Sequence, residues 1–188
     1  MNRELARRAA AEALGTGLLV TVVVGSGTMA QRLFPSDVRL ELLENSTATM
    51  LGLAALILGL ILILGPVSGT HFNPVVTLAD YVLNRRARTG VDRSTLAAFI
   101  PAQIVGGIGG AVLANLMFDL PVTSAPTHVR TGGHLWLGEV VATAGLVLLI
   151  FALARTGRGA SSTVRRPSAP TLGRRTGSPP QPASPTRP

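Results

Sequence analysis

Ser68-Gly69-Thr70-His71-Phe72-Asn73-Pro74-Val75-Val76-Thr77 is the stretch whose reading decides the fold. It follows a long apolar run and opens a short helix-like segment, about Asn73 to Leu83. Asn73 suits an N-cap, where its side-chain oxygen can accept from the first free backbone N–H groups. Pro74 suits the first helical position, because the N–H it lacks is not needed there. A helix of roughly ten residues covers about half of a hydrocarbon core of about 30 Å. The apolar segments around it are long enough to cross. The stretch therefore reads as a re-entrant half-helix with its positive N-terminal end near the membrane midplane. Irregular backbone at that depth is tolerated only where protein buries it or a wet cavity borders it. That makes it a candidate pore or substrate site.

Composition points the same way. The 188 residues are 47% hydrophobic and 14% charged, and several apolar runs approach or exceed the spanning length, as in a multi-pass membrane protein. There is no cysteine, hence no disulfide, thiol nucleophile or thiolate metal site. All 17 basic residues are Arg, which with abundant Ala, Gly and Pro suggests a GC-rich genome. The net charge of +8 does not indicate nucleic-acid binding, because the arginines flank apolar segments or lie in the tail. The basic N-terminus merges into the first apolar run with no cleavage-site pattern, as an uncleaved span does.

Taken in order, spans are expected at about 9–29, 46–64, 94–118 and 134–153, with the half-helix at about 73–83. Gln31 to Asn45 reads as a polar connection, and span two as ending at Gly65-Pro66. The fold class is all-α: four transmembrane helices plus one re-entrant half-helix. If the N-terminus is cytoplasmic, a half-helix that dips in and returns leaves the loop Asn84 to Arg93 on the same side. Arg3, Arg7, Arg8, Arg85, Arg86, Arg88, Arg93, Arg155 and Arg158 then lie inside, against Arg32, Arg39 and Arg130 outside. This asymmetry implies a cell (inner) membrane protein with both termini cytoplasmic. Residues 1–158 form the membrane domain. Residues 159–188, rich in Pro, Arg and Ser, bury too little apolar surface to order and read as a disordered tail.

Two carboxylates sit inside spans. Glu12 and Glu139 each precede a threonine by four residues, Thr16 and Thr143, one helical turn on. Buried intramembrane carboxylates face the protein interior, paired or hydrogen-bonded. Their roles here are a proton relay or ion site, or an acceptor for the irregular backbone before a half-helix; the second is favoured. The echo Ala11-Glu12 to Thr16 and Gly138-Glu139 to Thr143 suggests an internal repeat whose second copy begins near Trp136. Asn73 either caps the half-helix or donates its amide to a permeating molecule. His71 either lines a vestibule or satisfies loop backbone. His128 and His134 read as solvated. The three histidines lack metal-ligand spacing, so no metal or other cofactor is expected. Gly106, Gly107, Gly109 and Gly110 lie mid-span with no preceding strand, which favours small-residue helix packing over phosphate binding. No nucleophile–base set is present in the pattern, and nothing indicates an enzyme.

From about Arg7 to Arg158 the chain resembles the major intrinsic protein family, the aquaporins and glycerol facilitators. Ser68 to Thr77 is similar to the family's first signature, with Val75 where Ala is usual. Glu12 and Thr16 resemble its first span, Gln103 with Gly106-Gly107 its third, and Glu139 with Thr143 its fourth. The resemblance implies a partial aquaporin-like fold, with Glu12, Thr16, Gln103, Glu139 and Thr143 as buried structural polar residues. It implies a passive channel for water or small neutral solutes such as glycerol, set in a lipid bilayer, homotetrameric when complete. In the family two Asn-Pro-Ala half-helices meet at the midplane and orient the permeant's oxygen. Only the first carries over, to Asn73-Pro74-Val75, with His71 and Leu53 as pore-lining or filter positions.

As written, the chain lacks the second Asn-Pro-Ala half, two further spans and the filter arginine, so it is expected to be incomplete or inactive. Back-translated with its third codon bases chosen freely, Arg174 to Pro188 has a second content. Read from the third base of its first codon it gives Ala-Tyr-Trp-Phe-Thr-Ala-Ser-Thr-Ser-Phe-Ala-Asn-Pro-Ala. The third bases are free choices; the other two letters of each codon follow largely from the residues. The shifted text resembles the family's fifth span and second signature, so a frameshift is expected between Gly157 and Arg174. The alternatives are a non-channel membrane remnant or assembly partner, and an ion-coupled transporter using Glu12 and Glu139.

Overall fold

A computed structural model of the chain describes residues 2–86, 89–123 and 132–156. The described residues form five helices: α1 Arg3–Leu33, α2 Val38–Ser68, α3 Pro74–Asn84, α4 Arg93–Met117 and α5 Gly133–Arg155. Four of them, all but α3, are long and apolar enough to cross a membrane. At 11 residues, α3 rises only about 17 Å. The expected tail at 159–188, Arg158, Arg130, Arg88 and His128 lie outside the described residues.

The expected connection between the first two spans is mostly helical. Only Phe34 to Asp37 interrupts α1 and α2. Hydropathy marks where the apolar run ends, but a helix satisfies its own backbone in polar surroundings as well. The break falls instead where backbone chemistry demands it. Pro35 has no N–H to donate, and the Asp37 carboxylate caps Arg39 and Leu40. Likewise α2 continues through Pro66 to Ser68 and stops at Gly69, whose φ of 93° is left-handed. Glycine adopts that conformation without penalty.

The core is the contact of α1 with α4, which run parallel. Gly106 faces the Ala13 backbone and Gly110 faces the Gly17 backbone so closely that an added Cβ at either would overlap a carbonyl oxygen. Thr21 Oγ1 lies 2.9 Å from the Gly17 carbonyl and 3.0 Å from the Gly110 carbonyl, so its single hydroxyl proton is shared between one acceptor on each helix. Small residues that let backbones approach are how helices pack where lipid removes the hydrophobic drive. The pair is clamped at both ends by an arginine over a phenylalanine ring: Arg8 over Phe99 and Arg32 over Phe118, each 5.2 Å from the centroid. Antiparallel to α1, α2 contributes a polar contact of Ser26 with Thr49 and Asn45. The half-helix α3 rests on α4, and among the described residues α5 packs only on α3, with none of its own residues buried.

Candidate pore site around the half-helix

The approach to α3 is a strained turn. Gly69, Thr70 and Phe72 have φ of 93°, 56° and 48°. Two of these are side-chain-bearing residues in left-handed conformation, at a cost of order 1–3 kcal/mol each. The surroundings that hold them can be named. Ser68 Oγ accepts from Thr70 N at 3.1 Å. The Glu12 carboxylate, fully buried on α1, accepts from His71 N at 3.1 Å and Phe72 N at 2.6 Å. Gln103 Nε2 on α4 donates to the same carboxylate at 2.8 Å. The Phe72 ring lies over Gly15, where any Cβ would overlap it. Glu12 thus meets three N–H donors, which is how a charge in a low-dielectric interior is made tolerable.

The geometry leaves an asymmetry in the backbone. The N–H groups of Gly69, Thr70, His71 and Phe72 are all bonded. The carbonyl oxygens of Thr70, His71 and Phe72 have no hydrogen-bond partner among the described residues. Along this turn the N–H groups are engaged and these carbonyls are unpaired among the described residues.

At its end, Asn73 Oδ1 accepts from Val75 N at 2.8 Å and Val76 N at 3.4 Å, capping α3. Its Nδ2 has no hydrogen-bond partner among the described residues. Pro74 occupies the first helical position, and Val75 is 45% exposed beside the cap.

Thr77, fully buried, ties the half-helix down. Its hydroxyl lies 3.1 Å from Asn73 O, 2.9 Å from Gln103 Nε2 and 3.2 Å from His71 Nδ1. The His71 ring stands edge-on to Phe99 with centroids 6.0 Å apart. Glu12, Gln103, Thr77 and His71 form one connected polar cluster between α1, α4 and α3. Thr77, Phe72 and Phe99 were not singled out from sequence. The signal for Thr77 was its place one turn after Asn73, where a hydroxyl can reach the cap's carbonyl; for the two phenylalanines there was none.

The remaining site residues are placed less centrally. Thr16 is buried, its methyl beside Gly107 and its Oγ1 without a partner among the described residues. Leu53 is half-buried on α2. Glu139 and Thr143 depart from the expectation of buried structural residues: Glu139 is exposed and Thr143 half-buried. The physical reason is that no described element covers their face of α5, so the carboxylate has no irregular backbone to accept from. Among the described residues no group of His, Cys, Asp or Glu could hold a metal ion.

Four helices of crossing length and a short half-helix resting on α4 define a multi-pass membrane protein. A family model described as Major intrinsic protein matches residues 1–169, and the chain belongs to that family. AqpS, an aquaglyceroporin of Rhizobium meliloti (strain 1021), is 49% identical over 149 residues, 79% of this chain and 60% of the relative. Aquaporin-2 of Homo sapiens is 34% identical over 157 residues, 79% of this chain and 52% of the relative. An aquaporin of Laccaria bicolor is 27% identical over 186 residues, 89% of this chain and 66% of the relative. The chain thus spans between about half and two thirds of the length of these curated relatives. No solved structure matches it.

Proposed function

We propose that this chain supplies the first half of a passive channel for water or small neutral solutes such as glycerol. The observation that carries this is the turn before α3, with its N–H groups tied to Glu12 and Ser68 and three of its carbonyls without a hydrogen-bond partner among the described residues. A file of acceptors ending at the Asn73 amide gives a small hydroxyl-bearing molecule successive partners to replace its hydration. An ion would leave more hydration than these few groups return. Leu53, an aliphatic residue, sits at the filter position in this reading and makes the passage less restricted to water. The ion-coupled alternative is disfavoured because Glu12 is occupied by three donors. Enzymatic chemistry has no part in this function.

The working channel is a homotetramer in the cell (inner) membrane with the arginine-rich end and both termini in the cytoplasm. Its second half-helix is encoded one reading frame away in Arg174 to Pro188. The nucleotide sequence tests that directly: a stop, or no apolar span, in the shifted frame overturns it. Stopped-flow swelling of proteoliposomes tests the function. With the complete reading frame, water or glycerol permeability is expected, and Asn73→Ala lowers it about fivefold or more for a lost hydrogen bond. The 188 residues alone, with one Asn-Pro half-helix, are expected to give no selective permeability. An N73A channel that conducts normally would remove Asn73 from the pore.

A further inference from the structure

The end of α3 carries a second polar constellation that permeation does not use. Tyr81, the chain's single tyrosine, lies one turn before the helix end and is half-buried. Arg93 Nε, at the start of α4, donates to its hydroxyl oxygen at 3.2 Å. That hydrogen bond, followed by the charges of Arg93 and then Arg85, holds the Tyr81 phenol below its usual pKa range. Arg85, Arg86 and Arg93 are exposed. The carboxylates flanking the loop, Asp80 on α3 and Asp92 capping α4, are engaged elsewhere: Asp80 accepts from Val91 N and Asn84 Nδ2, and Asp92 accepts from Thr95 N and the Ser94 hydroxyl. Among the described residues the only ion pair is Arg7 with Glu4. The opposite end of the bundle differs, because Arg32 there is spent on the Phe118 carbonyl and ring.

We infer that Tyr81, Arg85, Arg86 and Arg93 form a binding site for the phosphate of an anionic phospholipid headgroup. An arginine fork matches phosphate oxygens in pairs, and the Tyr81 hydroxyl still has its proton to donate. Tyrosine favours the headgroup level, and basic clusters just beyond a membrane helix attract anionic lipid. Val82 and Leu83, 57% and 60% exposed beside Tyr81, provide an apolar surface for the acyl chain. That surface assigns the phosphate to a lipid and not to a free ion. The inference does not depend on whether the pore conducts.

The test is thermal unfolding of the purified full chain in neutral detergent, titrated with phosphatidylglycerol, phosphatidylcholine or inorganic phosphate. Phosphatidylglycerol is expected to raise the midpoint with at least about fivefold higher apparent affinity than phosphatidylcholine, and inorganic phosphate is expected to leave it unchanged. Each of Arg85→Gln and Arg93→Gln is expected to weaken phosphatidylglycerol about fivefold. Arg39→Gln at the other end should not weaken it. Tyr81→Phe, which keeps the ring, should weaken it a few fold, and serves if an arginine variant does not fold. Equal response to the two lipids overturns the proposal. So does the same response to inorganic phosphate, full affinity in the R85Q and R93Q variants, or an equal loss in R39Q.

Discussion

At the scale of single residues, Glu12 determines whether the turn before α3 can exist. An ionised carboxylate only accepts, and all three groups facing it only donate. Glu12→Gln would set an amide NH2 against one of these donors. We expect a loss of about 2–3 kcal/mol, read as a lowered unfolding midpoint in detergent. If Glu12 were a proton site in a coupled transporter, the variant would keep its midpoint and lose only transport. Asp92 gives a milder case outside the spans. Hydrogen bonds from Thr95, then from Ser94, hold its carboxyl below the usual range. A depressed pKa means that this capping contribution is present above the unfolded-state pKa and fades as pH falls through the folded-state value. Asp92→Ala is expected to cost about 0.5–2 kcal/mol at neutral pH. The difference between variant and parent should shrink in acid, and a difference independent of pH would show that the carboxylate charge plays no part.

At the scale of elements, the α1–α4 contact depends on having no side chain at two places. Gly106→Val would push the helices apart at the level of Ala13, and we expect destabilisation of about 1–3 kcal/mol. Gly109, three residues on, meets nothing within 4 Å of an added Cβ. Gly109→Ala should therefore be neutral or stabilising by up to about 1 kcal/mol. Matched midpoints for the two variants would mean that close backbone approach does not hold this pair. That the glycines pack helices was legible from sequence, because they fall mid-span with no strand before them. Which glycines touch was not legible, since it depends on the rotation of both helices.

At the scale of the whole molecule, the testable quantity is orientation. The chain has no cysteine, so single cysteines report freely. With the arginine-rich end inside, a membrane-impermeant maleimide should label Ser36→Cys in intact cells and Thr89→Cys only after lysis. The opposite pattern would reverse the topology. Four crossing helices and a short re-entrant one were legible in sequence because apolar length, an Asn-Pro cap and arginine bias are local properties. Helices α1 and α2 extend beyond their apolar runs, because hydropathy locates the edge of the bilayer and not the last backbone hydrogen bond. Glu139 was expected to mirror Glu12, but a carboxylate is buried only by what lies against it.

The opening stretch shows the division most clearly. By itself the sequence determined that Ser68 to Thr77 turns and starts a helix too short to cross, since capping and length act within a few residues. Only the tertiary structure decided which groups hold that turn. Glu12 lies 59 residues from His71, and Gln103 lies 91 residues from Glu12. Contacts at such separations exist only once α1 and α4 have packed against each other.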